Sequence, residues 1–339
     1  MREKILIIRF SSFGDIVQTM SVLNPLRAKF PQSDVHWVTR SDMSSLLSYN
    51  PMIDKLWSFD RKEGLVGLIK LSFKLRKEGY RYVYDAHSNI RSKIMSLILC
   101  PPFSRAHFVR RSKDRLKRIL LFKFRKNTYD WPYRGMLSFL KPLKSWGVEF
   151  SRDDLSQTWN FREKEIQNVK EKLGESHFVE YDFIALAPSA AWEMKRWPLD
   201  HWKSLIRLME NEKFVVLGGP GDEFCQELVD LAPGRVLNLA GKLSLMESSF
   251  LVTLSKGLIS ADTGVLHVAD ILGVKALALI GPTAFGFPTG SQMKTLDIEL
   301  PCRPCTKDGR GKCVQDVYQK CMVDISPERV AAEATLYLR

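Results

Sequence analysis

Short apolar runs and amphipathic stretches alternate along most of the chain. Ile5–Ile8, Val35–Val38, Lys55–Phe59 and Tyr82–Asp85 read as strands. Between them, Ile16, Met20, Leu23 and Leu26 share one helical face that stops before Pro31, and 43–47 and 65–75 also carry helical spacing. From about Glu149 to Tyr181 the pattern loosens into the polar SRDDLSQTWNF and a charged helix over 163–173. The alternation then restarts, with strands predicted at 183–187, 214–217, 236–239, 257–260 and 275–280. Helices are predicted at 202–208, 223–231, 245–254 and 265–272. Strand and helix alternating at such short spacing imply parallel sheets covered on both faces. The chain therefore reads as two tandem α/β domains, 1–160 and 161–339. Sheets of this kind take ligands at the carboxyl ends of their strands. Two of them facing each other would leave a cleft between those ends.

The ordinary balance of 45% hydrophobic and 26% charged residues excludes a disordered tail, a collagen or a disulfide miniprotein. No apolar run approaches the ~18–20 residues needed to span a bilayer. Only Ile5–Ile8 is uninterrupted before Arg9, too short for the core of a signal peptide, so a cytoplasmic protein is expected. The formal charge of +13 points to an anionic partner. Ten of the Lys and Arg residues fall between Arg105 and Lys126, interleaved with Ile119, Leu120, Leu121, Phe122 and Phe124. Such a stretch is either a solvated helix or a face for a phosphorylated lipid surface. No nucleic-acid-binding motif accompanies it.

The strand ends carry the candidate chemistry. Ser11, Ser12, Gly14 and Asp15 follow the first strand, and Asp15 is either a helix cap or a general base. In PSAAWEMKRWP, Ser189 and nearby N–H groups suit a phosphate and Lys195 supplies a positive charge. The alternative makes Lys195 and Arg196 solvated loop charges. In SADTGVLH, Thr263 and Gly264 open a helix whose N-terminus is a ready anion site, with His267 one turn inside. The dinucleotide fingerprint is absent. So is a P-loop, because Thr306 and Val236 stand where Gly311-Lys312 and Gly241-Lys242 would need a glycine. Neither a nucleophile elbow nor HExxH occurs.

Four cysteines crowd the tail, Cys302, Cys305, Cys313 and Cys321, with gaps of two, seven and seven residues. The first pair has the knuckle spacing of structural Zn or Fe sites, and the second pair lacks it. Free thiols, or pairs formed on oxidation, are the alternative. Cys100 and Cys225 sit in apolar contexts and read as core thiols.

Seven segments taken in order resemble glycosyltransferase family 9, the heptosyltransferases of lipopolysaccharide core synthesis. They are ILIIRFSSFGDIVQT, YDAHSNIRS, PSAAWEMKRWP, VVLGGPGDE, LNLAGKLSL, ISADTGVLHVADILGV and ALIGPT, between residues 5 and 283. The resemblance implies the GT-B fold of two Rossmann-like domains, the first binding acceptor and the second the donor. It further implies an ADP-heptose donor and an inverting transfer to a sugar hydroxyl of the lipopolysaccharide core and lipid A acceptor, needing no cofactor for catalysis. It places the enzyme peripherally on the cytoplasmic face of the inner membrane.

Carried onto this chain, the resemblance makes Asp15 the base, Lys195 the diphosphate clamp and His267 a group near the sugar. Ser189, Asp222, Leu243, Asp262, Thr263 and Gly264 complete the donor set. Ser11, Ser12, His87, Asn89 and Arg91 fall on the acceptor side, where His87 replaces the more usual glutamine. A relative that glycosylates Ser or Thr of a protein is a second expectation, kept open by the cysteine tail. A non-catalytic nucleotide-sugar or nucleic-acid binder is the third.

Overall fold

The computed structural model describes residues 2–338. The chain forms two units. One runs up to Asp114 and adds Met136–Asn160; the other takes Arg115–Gly135 and the chain from Phe161 onward.

In the first unit β1 (Lys4–Ile8), β2 (Asp34–Arg40), β3 (Lys55–Phe59), β4 (Tyr82–Asp85) and β5 (His107–Arg110) form one sheet, ordered β3-β2-β1-β4-β5. Every pairing is parallel. Ile5 through Ile8 are fully buried, as a central parallel strand covered on both faces must be. The helix Phe13–Met20 turns Ile16, Val17, Thr19 and Met20 inward.

The second unit holds β6 (Phe183–Ala187), β7 (Lys213–Val216), β8 (Val236–Asn238), β9 (Gly257–Ala261), β10 (Ala276–Leu279) and β11 (Met293–Leu296). Their order is β11-β10-β9-β6-β7-β8, again parallel throughout. Alternate residues of β6 serve opposite faces. Ile184 and Leu186 pack with Trp197, Trp202 and Phe214, whereas Phe183 and Ala185 pack with Val169, Leu251 and Leu258. Each buried Ile, Leu, Val or Phe side chain among these contributes about 1.5–3 kcal/mol.

In both sheets the strand order reverses beside the first strand, between β1 and β4 and between β6 and β9. Loops leaving such neighbouring strands in opposite directions open a crevice at their carboxyl ends.

The expected first domain, 1–160, differs from the structure over 115–135. This segment joins the second unit because its aromatic residues find partners there. Phe285 meets Phe122 at 6.0 Å, Tyr129 at 5.8 Å and Tyr133 at 4.8 Å, and Arg118 lies 4.9 Å over its ring. Trp131 meets Phe287 at 5.1 Å. Among the described residues no helix is long and apolar enough to cross a membrane.

Candidate functional site

Asp15 is the third residue of the helix Phe13–Met20, and Ser12 is the residue that caps it. The Ser12 hydroxyl donates to Asp15 Oδ2 at 2.9 Å. Arg9, buried at the end of the β1 run, brings its Nη2 to 2.5 Å from the same oxygen. Its Nη1 donates to the Ala86 carbonyl at 2.9 Å, which fixes the guanidinium. Burial alone would raise the carboxyl's pKa; the Arg9 and Arg111 charges and the Ser12 bonds outweigh it and hold Asp15 below the ordinary carboxylate value. Asp15 is therefore ionised at neutral pH. With 42% of its side chain exposed, it remains reachable by a ligand. Arg111 is buried, 3.8 Å over the Phe139 ring and 2.8 Å from Ser138 Oγ.

The neighbouring loop, after β4, is organised by the fully buried Asp85. Its carboxylate accepts from the His87 and Ser88 N–H groups, the Ser92 hydroxyl and Arg110 Nε. His87 lies edge-on to Phe10 at 5.3 Å. Burial first, then the Arg9 and Lys113 charges, pull its pKa down to about 3, so the imidazole is neutral. Ser11, Ser12, Asp15 and His87 thus gather round Arg9. Asn89 and Arg91 do not join them. Asn89 caps the helix Ile90–Leu99, accepting the Ser92 N–H while Ser92 Oγ accepts its own, and Arg91 is exposed on that helix.

In the second unit the loops after β6 and β9 meet in the same way. Lys195 Nζ stands 3.1 Å from Asp262 Oδ2, with 13% and 11% of the two side chains exposed. The solvated-loop alternative for Lys195 is thereby excluded. His267 Nε2 lies 3.7 Å from the other Asp262 oxygen. Thr263 caps the helix Gly264–Leu272, accepting from the Leu266 N–H, and is held by Ser260 Oγ at 3.0 Å. Asp262 thus turns its two carboxylate oxygens to Lys195 and His267. The N–H groups of the first helical turn are the kind of donors that suit an anion. Gly286 approaches so closely that an added Cβ would stand 2.4 Å from Asp262 Oδ2.

Ser189 is not a free hydroxyl: it donates to Asp222 Oδ1 at 2.5 Å, while Asp222 Oδ2 accepts the Gly219 N–H at 2.6 Å. That pair ties the loop after β6 to the loop after β7. Leu243 is half-buried against the core face that contains Ala185.

The tail cysteines depart from the metal-site expectation. All four are free thiols. Among the described residues no group of three or more His, Cys, Asp or Glu side chains converges as a metal-binding set. Cys305 and Cys313 turn to different backbone carbonyls, those of Pro282 and Val317, each at 3.9 Å. Burial pushes the Cys321 thiol up to about 12, and Cys305, Cys302 and Cys313 push it the same way. As folded, the donor set does not fit a tetrahedral thiolate centre.

Sequence reasoning missed Arg9, Arg111, Asp85 and Asp270. Asp270 is a buried residue of the helix Gly264–Leu272, where it accepts the Thr289 and Gly290 N–H groups at 2.7 Å each, and burial raises its pKa. A lone charge inside an apolar helix pattern was the one signal available for it.

The model of glycosyltransferase family 9 (heptosyltransferase) matches residues 68–316. Lipopolysaccharide heptosyltransferase 2 of Salmonella typhimurium is 26% identical, over 97% of both chains. The glycosyl transferase family 9 structure from Veillonella parvula superposes with a TM-score of 0.75 at 22% identity, covering 99% of this chain and 97% of that one. The E. coli ADP-heptose lps heptosyltransferase II structure gives 0.68 at 22% identity, covering 99% and 98%. These near-complete superpositions bear out the α/β, GT-B fold class.

Proposed function

The chain belongs to glycosyltransferase family 9, and on that premise we propose that it transfers heptose from ADP-heptose, with inversion, to a sugar hydroxyl of the lipopolysaccharide inner core. The observation that supports this most is the pair of switch points with opposite working charges. One presents an ionised, reachable carboxylate; the other presents a held ammonium beside a helix N-terminus.

In this reading the acceptor oxygen attacks the anomeric carbon as the bond to the diphosphate breaks. Asp15 takes the hydroxyl proton. A positioned base contributes roughly 10²–10⁴-fold to such a step. Arg9 makes Asp15 a weak base but keeps it deprotonated, and the hydroxyl grows more acidic as its oxygen bonds to carbon. The electron pair of the broken bond goes to the diphosphate, where Lys195 and the helix N-terminus at Thr263–Gly264 meet the developing charge. Ser12 and His87 line the acceptor side, with His87 as a neutral partner for a hydroxyl. The Ser189–Asp222 link shapes the donor side, and Leu243 offers the base an apolar contact.

The lipid-linked acceptor calls for a membrane face. The helix Arg115–Phe124 exposes Leu116, Ile119 and Phe124 at three-, five- and eight-residue spacings, flanked by exposed Arg115, Lys117 and Lys123. We assign this outer stripe to peripheral docking on the anionic cytoplasmic leaflet, each cation contributing ~1 kcal/mol near the surface. Arg110 and Arg111, from the same basic run, point inward to Asp85 and Ser138 and take no part. The feature that favoured a protein acceptor was the cysteine tail, and its thiols do not converge.

The deciding experiment offers ADP-, UDP- and GDP-linked sugars with a heptose-deficient lipid A core acceptor and follows nucleotide release. Acceptor-dependent ADP release from ADP-heptose is expected. Turnover of UDP- or GDP-sugars instead would overturn the reading.

A further inference from the structure

The tail from Cys302 onward is folded onto the loop that carries Lys195. The turn 306–310 is pinned from beneath. Its Thr306 N–H donates to the Pro282 carbonyl at 3.2 Å, the Ala284 N–H donates to Thr306 O at 3.2 Å, and the Thr306 side chain is buried. Thr306 Oγ1 accepts the Gly309 N–H at 3.2 Å and donates to the Arg310 carbonyl at 2.7 Å. This closes a rigid turn with Gly309 at its tip, at φ +94°.

The tip rests on the stem of Lys195. An added Cβ at Gly309 would stand 2.6 Å from Lys195 Cδ, 2.7 Å from Cγ and 3.0 Å from Trp192 Cβ. Two further contacts hold the surface together. The Arg310 guanidinium lies 5.2 Å over the Trp192 ring, and Gln319 Nε2 donates to the Glu193 carbonyl. Lys195 is thus confined between two groups, the turn along its methylenes and Asp262 at its ammonium, 3.1 Å away.

We infer that Gly309 and the Thr306 turn are positioning elements for the diphosphate-binding lysine, so that the cysteine-bearing tail is a working part of the donor site. The inference rests on the reading of Lys195 as the diphosphate clamp. A free lysine has many rotamers and must give them up on binding an anion; a stem already fixed by a neighbouring backbone has given them up beforehand. Only glycine fits. A side chain at this position meets the Lys195 stem, and φ +94° disfavours L residues as well. Cys302, Cys305 and Cys313 flank the turn in sequence.

The test is a double-mutant cycle on ADP affinity, measured by calorimetry on the full chain. Gly309→Ala should weaken ADP about tenfold, the size expected when one rotamer-rich side chain must newly be immobilised. Thr306→Val, which keeps the shape but cannot accept the Gly309 N–H, should weaken ADP in the same direction and serves if Gly309→Ala folds poorly. In a Lys195→Ala background both changes should have no further effect, since they act through the lysine. Wild-type affinity in folded Gly309→Ala and Thr306→Val, or an undiminished loss in the Lys195→Ala background, overturns the inference and leaves the clamp reading standing. Unchanged ADP affinity in Lys195→Ala alone overturns the clamp reading, and the positioning role falls with it.

Discussion

The two switch points are built on the same strand order and hold their working groups in opposite senses. After β1, a carboxylate, Asp15, is held by a buried guanidinium six positions earlier, Arg9. After β6, an ammonium, Lys195, is held by a carboxylate from the loop after β9, Asp262. The first pair is local and leaves its acid 42% exposed; the second joins distant loops and leaves its base 13% exposed. The proposed base for the acceptor is accessible, and its partner follows directly on the strand β1. The proposed leaving-group clamp is enclosed, and its partner comes from the loop after the neighbouring strand, β9. The frame sets where charge is placed, and the loops set its sign.

Asp15→Ala attacks the first half of this comparison at its centre and carries the largest expected effect. Turnover should fall roughly 10²–10⁴-fold while ADP affinity stays at the wild-type value. Near-normal turnover at saturating acceptor would reduce Asp15 to a first-turn cap. Arg9→Gln tests how the acid is held. Asp15 lies below its ordinary value in the folded protein, so its contribution to stability is present above the unfolded value, about 3.9, and is lost as pH falls through the folded one. Without Arg9 the folded value rises, so the acid limb of kcat/KM should move to higher pH. A limb that stays in place would show that Arg9 does not set the ionisation of Asp15.

A smaller effect is expected at the docking helix. Charge reversal at Arg115, Lys117 and Lys123 should weaken binding to vesicles containing anionic lipid, and salt should weaken the wild type likewise. Equal binding at low salt would remove the membrane assignment and leave the transferase reading intact. The smallest effect concerns His87. Its folded pKa, about 3, lies below the unfolded one, so between the two the unfolded state binds the extra proton and stability falls with pH. His87→Gln should flatten the loss of melting temperature as pH falls from about 6.5 toward 3, the window fixed by that depression and the ordinary value near 6.5. An unaltered pH slope would mean that His87 is not buried in its neutral form.

The strands were legible as short runs rich in apolar and aromatic residues. Lys55–Phe59, Tyr82–Asp85 and Phe183–Ala187 match residue for residue. β5 and β11 carry no apolar run, because exposed or half-exposed polar residues such as His107 and Lys294 interrupt them. Lys195, Asp262 and His267 were legible as motif members, and their mutual contact was not. Arg9 and Asp270 were hidden for a related reason: what makes a buried charge informative is its partner, and partners are chosen by the fold. Asn89 and Arg91 show the converse. A segment that belongs to a recognisable motif can hold helix caps and outward residues beside the ones that face a ligand. The cysteine spacing could say how many sulfurs were near one another along the chain, and nothing of where each would point.

The excursion of 115–135 into the second unit has a consequence for biosynthesis. Phe122, Tyr129 and Tyr133 leave the ribosome long before Phe285, the ring they pack against. At about 5–20 residues per second, that separation is a wait of roughly 8–30 s. During it the first sheet has all its strands, while a cationic, aromatic arm hangs unsatisfied between two of its segments. The chain therefore cannot be cut after residue 160 into two self-sufficient halves. The downstream fragment would be made without the arm that covers Phe285 and Phe287, and the upstream fragment would keep an arm with nothing to cover.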